Sequence, residues 1–260
     1  MSSLTLVILA AGLGKRYGTG IKQLAPVGPA GETLLEYTAY DAARSGFTRA
    51  VLVVRPGIEP PRLRGLDTAV ALQTEPLGTA HAVMAAEGVV RGPFVVANAD
   101  DFYGREAIEA LARFLGEGAD AWAVAGYRLK DTLSPEGGVS RAVLQTDAEG
   151  WLTGIEERRN ITSGGDEPVS MNLWAFTPGV FPILRSGFEA FRTGARTGEY
   201  ILPDAVAEAV AARKARVKVL PAGSRWMGIT HSGDRPRVAA EMAALVAAGA
   251  YPSPLWAPAG

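Results

Sequence analysis

The amino-acid sequence predicts an α/β fold in which a doubly wound, mostly parallel sheet carries a small, added β-rich lobe. Short apolar runs alternate with segments of helical periodicity over the first half of the chain, as in repeated βαβ units. After Tyr127 the rhythm changes, and three strand-like runs follow one another without a helix between them. A chain of 260 residues can bury a full core, so we expect one domain over residues 1–260.

Each expected element rests on the spacing of its apolar residues. Continuous apolar runs predict first-half strands at residues 4–10, 50–54, 68–73, 94–98 and 121–126. Apolar residues repeated every three or four positions predict the intervening helices at residues 33–45, 79–87 and 105–115, with right-handed crossovers. The second half is expected to contain strands at 139–145, 151–156 and 169–176, helices at 178–191 and 203–213, a strand at 216–220 and a helix at 235–248.

The composition excludes several classes of function. With 26 basic and 27 acidic residues, the net charge of -1 gives no general attraction to nucleic acid or to anionic membranes, so neither is an expected partner. The absence of cysteine excludes disulfides, thiolate metal sites and cysteine nucleophiles, and a reducing, cytoplasmic location is expected. The N-terminal apolar run lacks a basic flank and is too short to span a bilayer, so we interpret it as part of the mature fold.

A glycine-rich, doubly basic loop follows the first predicted strand. Gly12 and Gly14 allow backbone N–H groups to approach phosphate oxygens, and Lys15 and Arg16 add positive charge where a polyphosphate would lie. A dinucleotide-binding fingerprint fits poorly, because Tyr17 occupies the position of its third glycine. The loop therefore predicts a triphosphate site, and a merely solvated basic loop is the alternative.

Two adjacent carboxylates follow the strand predicted at residues 94–98. Ligands of open α/β sheets bind at the carboxyl ends of the strands, and carboxylate oxygen suits Mg²⁺. We therefore expect Asp100 to be a magnesium ligand. The alternative is that the aspartates cap the helix that begins near Arg105, a role that suits Asp101 better than Asp100.

The segment that begins at Leu9 resembles the signature of the sugar-1-phosphate nucleotidyltransferases, also called NDP-sugar pyrophosphorylases. That signature is LAAG-x-G-x-R followed by a Pro-Lys pair, and Ile21 stands where the family usually has proline. The matching residues are Leu9, Ala10, Ala11, Gly12, Gly14, Arg16 and Lys22. The resemblance implies a Rossmann-like sheet of the nucleotidyltransferase type, with a nucleotide-binding half (1–126), a sugar-binding half (127–233) and a C-terminal helix and tail (234–260).

A second stretch, residues 72–82, resembles the family's base-recognition segment. The resemblance implies that Gln73 reads the edge of the base, that Gly78 lets the base approach closely, and that Thr79 adds a hydroxyl at the start of a helix. A turn with a helix N-cap is the alternative reading of Gly78 and Thr79, since both residue types are favoured there.

The second half resembles the family's acceptor site. By this resemblance Glu157 and Asn172 contact sugar hydroxyls, and Gly138 lies where a glycine approaches the sugar. The family's second metal ligand, normally Asp or Asn, falls in residues 226–234, where the usual residue is missing. Asp234 or His231 could replace it; Mg²⁺ prefers the oxygen of Asp234, although Asp234 is equally suited to cap the last helix.

The resemblance implies a reaction between a nucleoside triphosphate, with UTP or dTTP favoured, and a sugar-1-phosphate, with Mg²⁺ as cofactor. Arg16 would contact the β and γ phosphates, and Lys22 the α-phosphate and the incoming phosphate. An assembly of identical subunits is also expected. Two alternatives stay open: a nucleotidyltransferase for a non-sugar phosphate, such as a cytidylyltransferase or a molybdenum-cofactor nucleotide transferase, and a catalytically silent nucleotide-binding regulatory domain.

Overall fold

The computed structural model describes residues 4–12, 25–118, 120–135, 137–194, 198–229 and 233–256. The strands in this part of the chain are β1 (Leu4–Leu9), β2 (Phe47–Val54), β3 (Asp67–Leu72), β4 (Phe94–Asn98), β5 (Asp101–Phe102), β6 (Trp122–Arg128), β7 (Val139–Thr146), β8 (Leu152–Ile161), β9 (Pro168–Phe176), β10 (Val217–Pro221) and β11 (Met227–Gly228). The α-helices are α1 (Leu34–Arg44), α2 (Thr79–Ala85), α3 (Arg105–Gly116), α4 (Val180–Thr193), α5 (Leu202–Ala211) and α6 (Asp234–Ala247).

The central sheet has the order β3-β2-β1-β4-β9-β6-β10. Strand β1 runs parallel to β2 and β4, β2 runs parallel to β3, and β6 runs parallel to β10. The predicted α/β class with a mostly parallel sheet is confirmed. Strand β9 differs from the expectation, because it lies antiparallel between β4 and β6 instead of in a separate lobe. Its nearly continuous buried residues explain this position, since a central strand is covered on both faces.

The added lobe consists mainly of the antiparallel pair β7 and β8. Residues Ala142 and Val143 of β7 pair with β9, which attaches the lobe to the main sheet. Much of β8 is exposed, with buried and solvent-facing positions mixed along its length. The lobe therefore offers a polar surface beside the carboxyl ends of the central strands.

Helices cover both faces of the sheet. One core cluster contains the apolar faces of α1 and α3, and a second contains those of α2, α4 and α5. Helix α1 begins with a capping box, in which the Glu36 N–H donates to Thr33 Oγ1 and the Thr33 N–H donates to the Glu36 carboxylate. Over the described ranges, none of the helices has both the length and the apolar composition that a bilayer-crossing segment requires.

A short antiparallel ribbon joins the end of β4 to a distant part of the chain. Strand β5 follows β4 after two residues, and it pairs with β11, so that Phe102 lies opposite Met227. Both strands are only two residues long, which is too short for a periodic pattern, and the sequence did not predict them. The ribbon brings the segment that leads into α6 next to Asp100 and Asp101.

A buried carboxylate ties the C-terminal segment to two helices. Asp41 of α1 is completely buried and accepts hydrogen bonds from the Tyr251 hydroxyl at 2.6 Å and from Arg105 Nε at 3.2 Å. Burial raises the pKa of Asp41 from 3.8 to about 6, although both hydrogen-bond donors oppose the shift. The folded state therefore holds the Asp41 proton more tightly than the unfolded chain does.

This pKa shift predicts a pH-dependent stability contribution. The contribution of Asp41 is fully present below the unfolded pKa and is lost as pH rises through the folded pKa. We expect the unfolding free energy of the parent, measured relative to that of Asp41→Asn, to fall by up to about 3 kcal/mol as pH rises from roughly 4 to 7. Urea unfolding at each pH measures this difference.

Glu109→Gln, on the exposed side of α3, is the matched control for the loss of one carboxylate charge. A parent-to-Asp41→Asn difference that stays constant or moves in favour of the parent as pH rises would contradict the shift assigned to Asp41.

Candidate active site

The carboxyl ends of the parallel strands form one edge of the sheet. Leu9 pairs with Val53 on one side and with Asn98 on the other, and Val54 pairs with Leu72. The register continues past the strands, because the Ala10 N–H donates to the Val53 carbonyl at 2.8 Å and the Ala99 N–H donates to the Leu9 carbonyl at 3.1 Å. The residues that follow β1, β3 and β4 are thus brought to the same edge, where ligands bind in this type of sheet.

The start of the glycine-rich loop lies at this edge. Leu9 and Ala11 are buried, Ala10 is partly buried and Gly12 is exposed. The side chains of Leu9 and Ala11 therefore belong to the core, and only the backbone here could face a ligand. The remaining residues predicted for the phosphates lie outside the described residues; these are Gly14, Lys15, Arg16 and Lys22.

Asp100 lies at the end of β4, directly beside the start of that loop. Its side chain is partly buried, and its carbonyl accepts a hydrogen bond from the Ile229 N–H at 3.2 Å. The alternative that the aspartates cap α3 is wrong, because the N-cap is Gly104 and no side chain caps this helix. Gly104 has a φ of 77°, a conformation that glycine adopts at little cost.

Asp101 has a different environment from Asp100. It is buried, and its Oδ2 accepts hydrogen bonds from Asn98 Nδ2 at 2.8 Å and from the Tyr103 hydroxyl at 3.2 Å. The Tyr103 hydroxyl in turn accepts the Asn98 backbone N–H at 2.9 Å. Asp101 therefore holds the backbone that follows β4, and the role of Asp100 as a magnesium ligand stays a prediction.

The Asp101 network continues into β9 through Asn172. Asn172 Nδ2 donates to Asn98 Oδ1 at 2.7 Å, and Asn172 Oδ1 accepts from Trp174 Nε1 at 3.1 Å. The backbone of Asn172 has a φ of 65°, in the left-handed region that asparagine tolerates better than most residues. Asn172 thus lies beside the carboxylates, with both ends of its amide engaged, and its contact with a sugar stays a prediction.

The segment predicted to read the base lies at the end of β3. Gln73 is buried, and its Nε2 donates to the Gly78 carbonyl at 3.1 Å and lies 3.1 Å from His81 Nδ1. Gly78 has a φ of 111°, and a Cβ atom there would lie 2.4 Å from the Tyr200 carbonyl oxygen. Close packing against residue 200 is therefore one reason for glycine at this position, independent of any base.

Thr79 also makes a contact within the protein. Its hydroxyl accepts the Leu202 N–H at 2.8 Å, which satisfies a free donor at the start of α5. The alternative of a turn with a helix N-cap holds for Gly78, which is the N-cap of α2, but not for Thr79, which is the first residue of that helix. Together, Gly78 and Thr79 join the start of α2 to the start of α5.

Two predicted acceptor residues lie on the β7–β8 lobe. A Cβ atom on Gly138 would lie 3.0 Å from the main chain of Asn160, so glycine allows β8 to approach the start of β7. Glu157 is exposed on β8, opposite Ala142. Partial desolvation raises the pKa of Glu157 and the charge of Asp204 adds to the shift, whereas Arg159 opposes it.

Arg141 is a charged residue of this region that the sequence did not single out. It projects from β7, and its guanidinium lies 5.3 Å from the centre of the Trp226 ring. Its Nε donates to Thr132 Oγ1 at 3.1 Å, and burial lowers the pKa of Arg141 despite the opposing charges of Asp101 and Glu157. No local pattern marks this residue, since Trp226 is far away in the sequence.

The second metal position is only partly described. Asp234 is buried, and its carboxylate lies 3.5 Å from Arg237 Nη2. The N-cap interpretation of Asp234 is wrong, because Gly233 is the N-cap and Asp234 is the first residue of α6. His231 lies outside the described residues.

The donor set near Asp100 suits Mg²⁺. Within the described ranges, no group of three or more His, Asp or Glu side chains is arranged to hold a metal ion by itself. Mg²⁺ commonly binds to one or two protein carboxylates and completes its shell with water and substrate phosphates. The single, partly buried carboxylate of Asp100 at the carboxyl edge is therefore compatible with the predicted Mg²⁺ site.

We predict that Gly78→Ala destabilises the protein by about 2 to 4 kcal/mol, because the new methyl group adds overpacking to backbone strain. Its clash is with main-chain atoms of Tyr200, which cannot simply rotate away. Gly116→Ala at the end of α3 is the control, since a Cβ atom there meets nothing within 4 Å. Urea unfolding compares the two variants; equal stabilities would contradict the close packing at residue 78.

A pair of variants separates the two roles of Asn172. Asn172→Gly removes both side-chain hydrogen bonds but suits the positive φ, and we expect a loss of about 2 kcal/mol. Asn172→Ala removes the same bonds and adds backbone strain, so it should be less stable than Asn172→Gly by about 1 kcal/mol. If Asn172→Ala is the more stable variant in urea unfolding, the strain assigned to this position is wrong.

The described geometry agrees with comparisons to known proteins. Residues 6–168, more than half of the chain, match the MobA-like NTP transferase domain. The bifunctional protein GlmU of Symbiobacterium thermophilum is 34% identical over 217 residues, covering 78% of this chain and 43% of that relative. GlmU of Thermus thermophilus is 33% identical over 216 residues, with coverages of 77% and 43%. The chain therefore spans less than half the length of these curated relatives.

Solved structures share the fold at lower sequence identity. An inositol-1-phosphate CTP transferase from T. maritima superposes with a TM-score of 0.67 at 18% identity, covering 93% of this chain and 97% of that chain. A UDP-glucose pyrophosphorylase from Acinetobacter baumanii gives a TM-score of 0.68 at 17% identity, with 93% of each chain covered. The match over residues 6–168 shows that the chain belongs to the family of MobA-like NTP transferase domains.

Proposed function

We propose that the protein is a nucleotidyltransferase that joins a nucleoside triphosphate to a sugar-1-phosphate and releases pyrophosphate. The observation that carries the proposal is the pairing of Leu9 with Asn98, which brings the start of the glycine-rich loop next to Asp100. Phosphate-binding backbone and a metal-binding carboxylate are needed at one place for this reaction. The match to the MobA-like NTP transferase domain and the shared fold with a UDP-glucose pyrophosphorylase support the same reaction class.

The reaction requires charge neutralisation more than proton transfer. The attacking phosphate oxygen of a sugar-1-phosphate is already ionised near neutral pH, so the protein needs no general base. Arg16 would contact the β and γ phosphates and the departing pyrophosphate, and Lys22 would contact the α-phosphate and the incoming phosphate. Both cations stabilise charge that builds up in the transition state, where fixed donors have their largest effect.

Asp100 would hold Mg²⁺, with Asp234 as the proposed second ligand. When bound, the ion would act as a Lewis acid on the phosphate oxygens and would hold the two reactants in line. Asp101 would not bind the ion in this proposal, because its carboxylate is occupied by Asn98 and Tyr103. Asp101 instead keeps the backbone of Asp100 in place.

The acceptor would lie between the carboxyl edge and the β7–β8 lobe. Glu157 and Asn172 would contact its hydroxyls, and Gly138 would border it. The guanidinium of Arg141, close to the charges of Asp101 and Glu157, gives this region a partly buried cation as well as carboxylates. Such a mixture suits a polyhydroxylated phosphate, which offers both hydroxyl donors and negative charge.

A panel assay tests the proposal. Pyrophosphate release should require Mg²⁺ and should be fastest for UTP or dTTP with one sugar-1-phosphate. Inositol-1-phosphate with CTP belongs in the panel, because a protein of the same fold is an inositol-1-phosphate CTP transferase. Turnover with that pair alone would show that the acceptor is a phosphorylated alcohol other than a sugar-1-phosphate. Triphosphate binding without any product would favour a catalytically silent regulatory domain.

Variants test the assigned cations and carboxylate in the same assay. We expect Arg16→Ala and Lys22→Ala each to lower kcat by about 10²- to 10³-fold, as for the loss of one transition-state donor. Asp100→Asn should weaken the response to Mg²⁺ as well. The matched control is Lys214→Ala, because Lys214 is exposed and precedes β10 at the opposite edge of the sheet. Full turnover by folded Lys22→Ala would refute its role.

A further inference from the structure

The amide of Gln73 has a defined orientation. Its Nε2 lies 3.1 Å from the Gly78 carbonyl oxygen, which also accepts the Ala82 N–H at 3.0 Å. A carbonyl oxygen can only accept hydrogen bonds, so the side of the amide that faces it must be the NH₂ group. The opposite orientation would place two acceptor oxygens against each other in a buried position.

His81 uses the second hydrogen of this NH₂ group. Its Nδ1 lies 3.1 Å from Gln73 Nε2, and since Nε2 is a donor, Nδ1 must accept. The imidazole is then neutral and carries its proton on Nε2. The ring is held against Phe188, with 5.0 Å between the ring centres, and burial lowers the pKa of His81 although Glu75 opposes the shift.

Only the carbonyl oxygen of Gln73 remains for a ligand. Both amide hydrogens are engaged, and within the described part of the chain no donor is bonded to Oε1. The residue is only 4% exposed, so water has little access to it, and a buried Oε1 without a donor is costly unless a ligand supplies one. Gln73 therefore presents an acceptor and no donor at the end of β3.

We propose that His81 is a positioning residue, which together with the Gly78 carbonyl locks the Gln73 amide so that it accepts a hydrogen bond from the nucleotide base and cannot donate one. This inference rests on the proposed function, because it assumes that Gln73 faces the base. The base class that fits is uracil or thymine, whose N3–H is the one ring donor left once N1 carries the ribose. Cytosine presents a bare acceptor at N3 and could meet Oε1 only through its N4 amino group, so its ring would have to bind in a shifted position.

Base analogues test the single hydrogen bond without changing the protein. The parent should bind UTP about tenfold or more tightly than 3-deaza-UTP, in which C–H replaces N3–H, because the buried acceptor then has no donor. The loss should appear in KM and in the Kd from titration calorimetry, with kcat nearly unchanged. Equal affinity for the two nucleotides would overturn the proposal.

Two substitutions test the lock itself. His81→Phe keeps an aromatic ring against Phe188 but leaves the Gly78 carbonyl as the only acceptor that orients the amide, so discrimination against 3-deaza-UTP should fall by about threefold. His81→Asn places a carbonyl oxygen near the position of Nδ1 and should restore the parental discrimination. Parental discrimination in His81→Phe, or none in His81→Asn, would show that His81 does not set the amide.

The outcomes separate this inference from the proposed function. Binding of UTP without pyrophosphate release would refute the reaction, while the Kd values would still test the Gln73 amide. Turnover with CTP and no binding of uracil or thymine nucleotides would leave the reaction intact and would refute the contact between Gln73 Oε1 and a base N3–H. A His81→Phe variant that does not fold leaves the UTP and 3-deaza-UTP comparison in the parent as the deciding measurement.

Discussion

The parallel pairing of β1 with β4 is the constraint on which the rest of the candidate site depends. It aligns Leu9 with Asn98, so that two chain segments with different chemistry leave the sheet side by side. Both faces of these strands are buried under helices, and a slip of one residue would turn every side chain to the opposite face. The register is therefore fixed by the core, and the site inherits its geometry from apolar packing.

The two adjacent carboxylates at this edge, Asp100 and Asp101, differ in their contacts. Asp101 accepts a hydrogen bond from Asn98, which is bonded in turn to Asn172 and through it to Trp174. Its neighbour Asp100 stays partly accessible. Asp100 belongs to the turn between β4 and β5, whereas Asp101 begins β5, so the two carboxylates have different surroundings. The network also connects β4 with β9, which lies antiparallel in the middle of the sheet.

Local patterns predicted most elements of this fold, and their failures have physical reasons. The helix expected at 33–45 agrees with α1, whose apolar residues repeat along one buried face. The strand expected at 94–98 agrees with β4, whose continuous apolar run is buried on both faces. The position of β9 was wrong because the order of strands in a sheet depends on contacts that no local period encodes. The β5–β11 ribbon was missed because its strands have two residues each.

The site was predictable only where chemistry is concentrated in a short segment. Asp100 and Gln73 follow apolar strands, and each stands out in the sequence as a polar residue at such a point. The partners that orient such residues do not stand out: Asn172 meets Asn98 across 74 positions, and Arg141 reaches Trp226 from another strand. The sequence shows His81 only as one residue of the helix predicted at 79–87, and its contact with Gln73 is visible only in the structure.

The contact between the starts of α2 and α5 has a consequence for how such a protein can diversify. Tyr200 presses on Gly78, and the hydroxyl of Thr79 holds the Leu202 N–H, so neither segment can be remodelled without disturbing the other. Substitutions that alter the protein without disturbing this contact must therefore lie outside these two segments. Glu157, by contrast, lies on an exposed part of β8, where substitutions need not disturb the contact between these two helices.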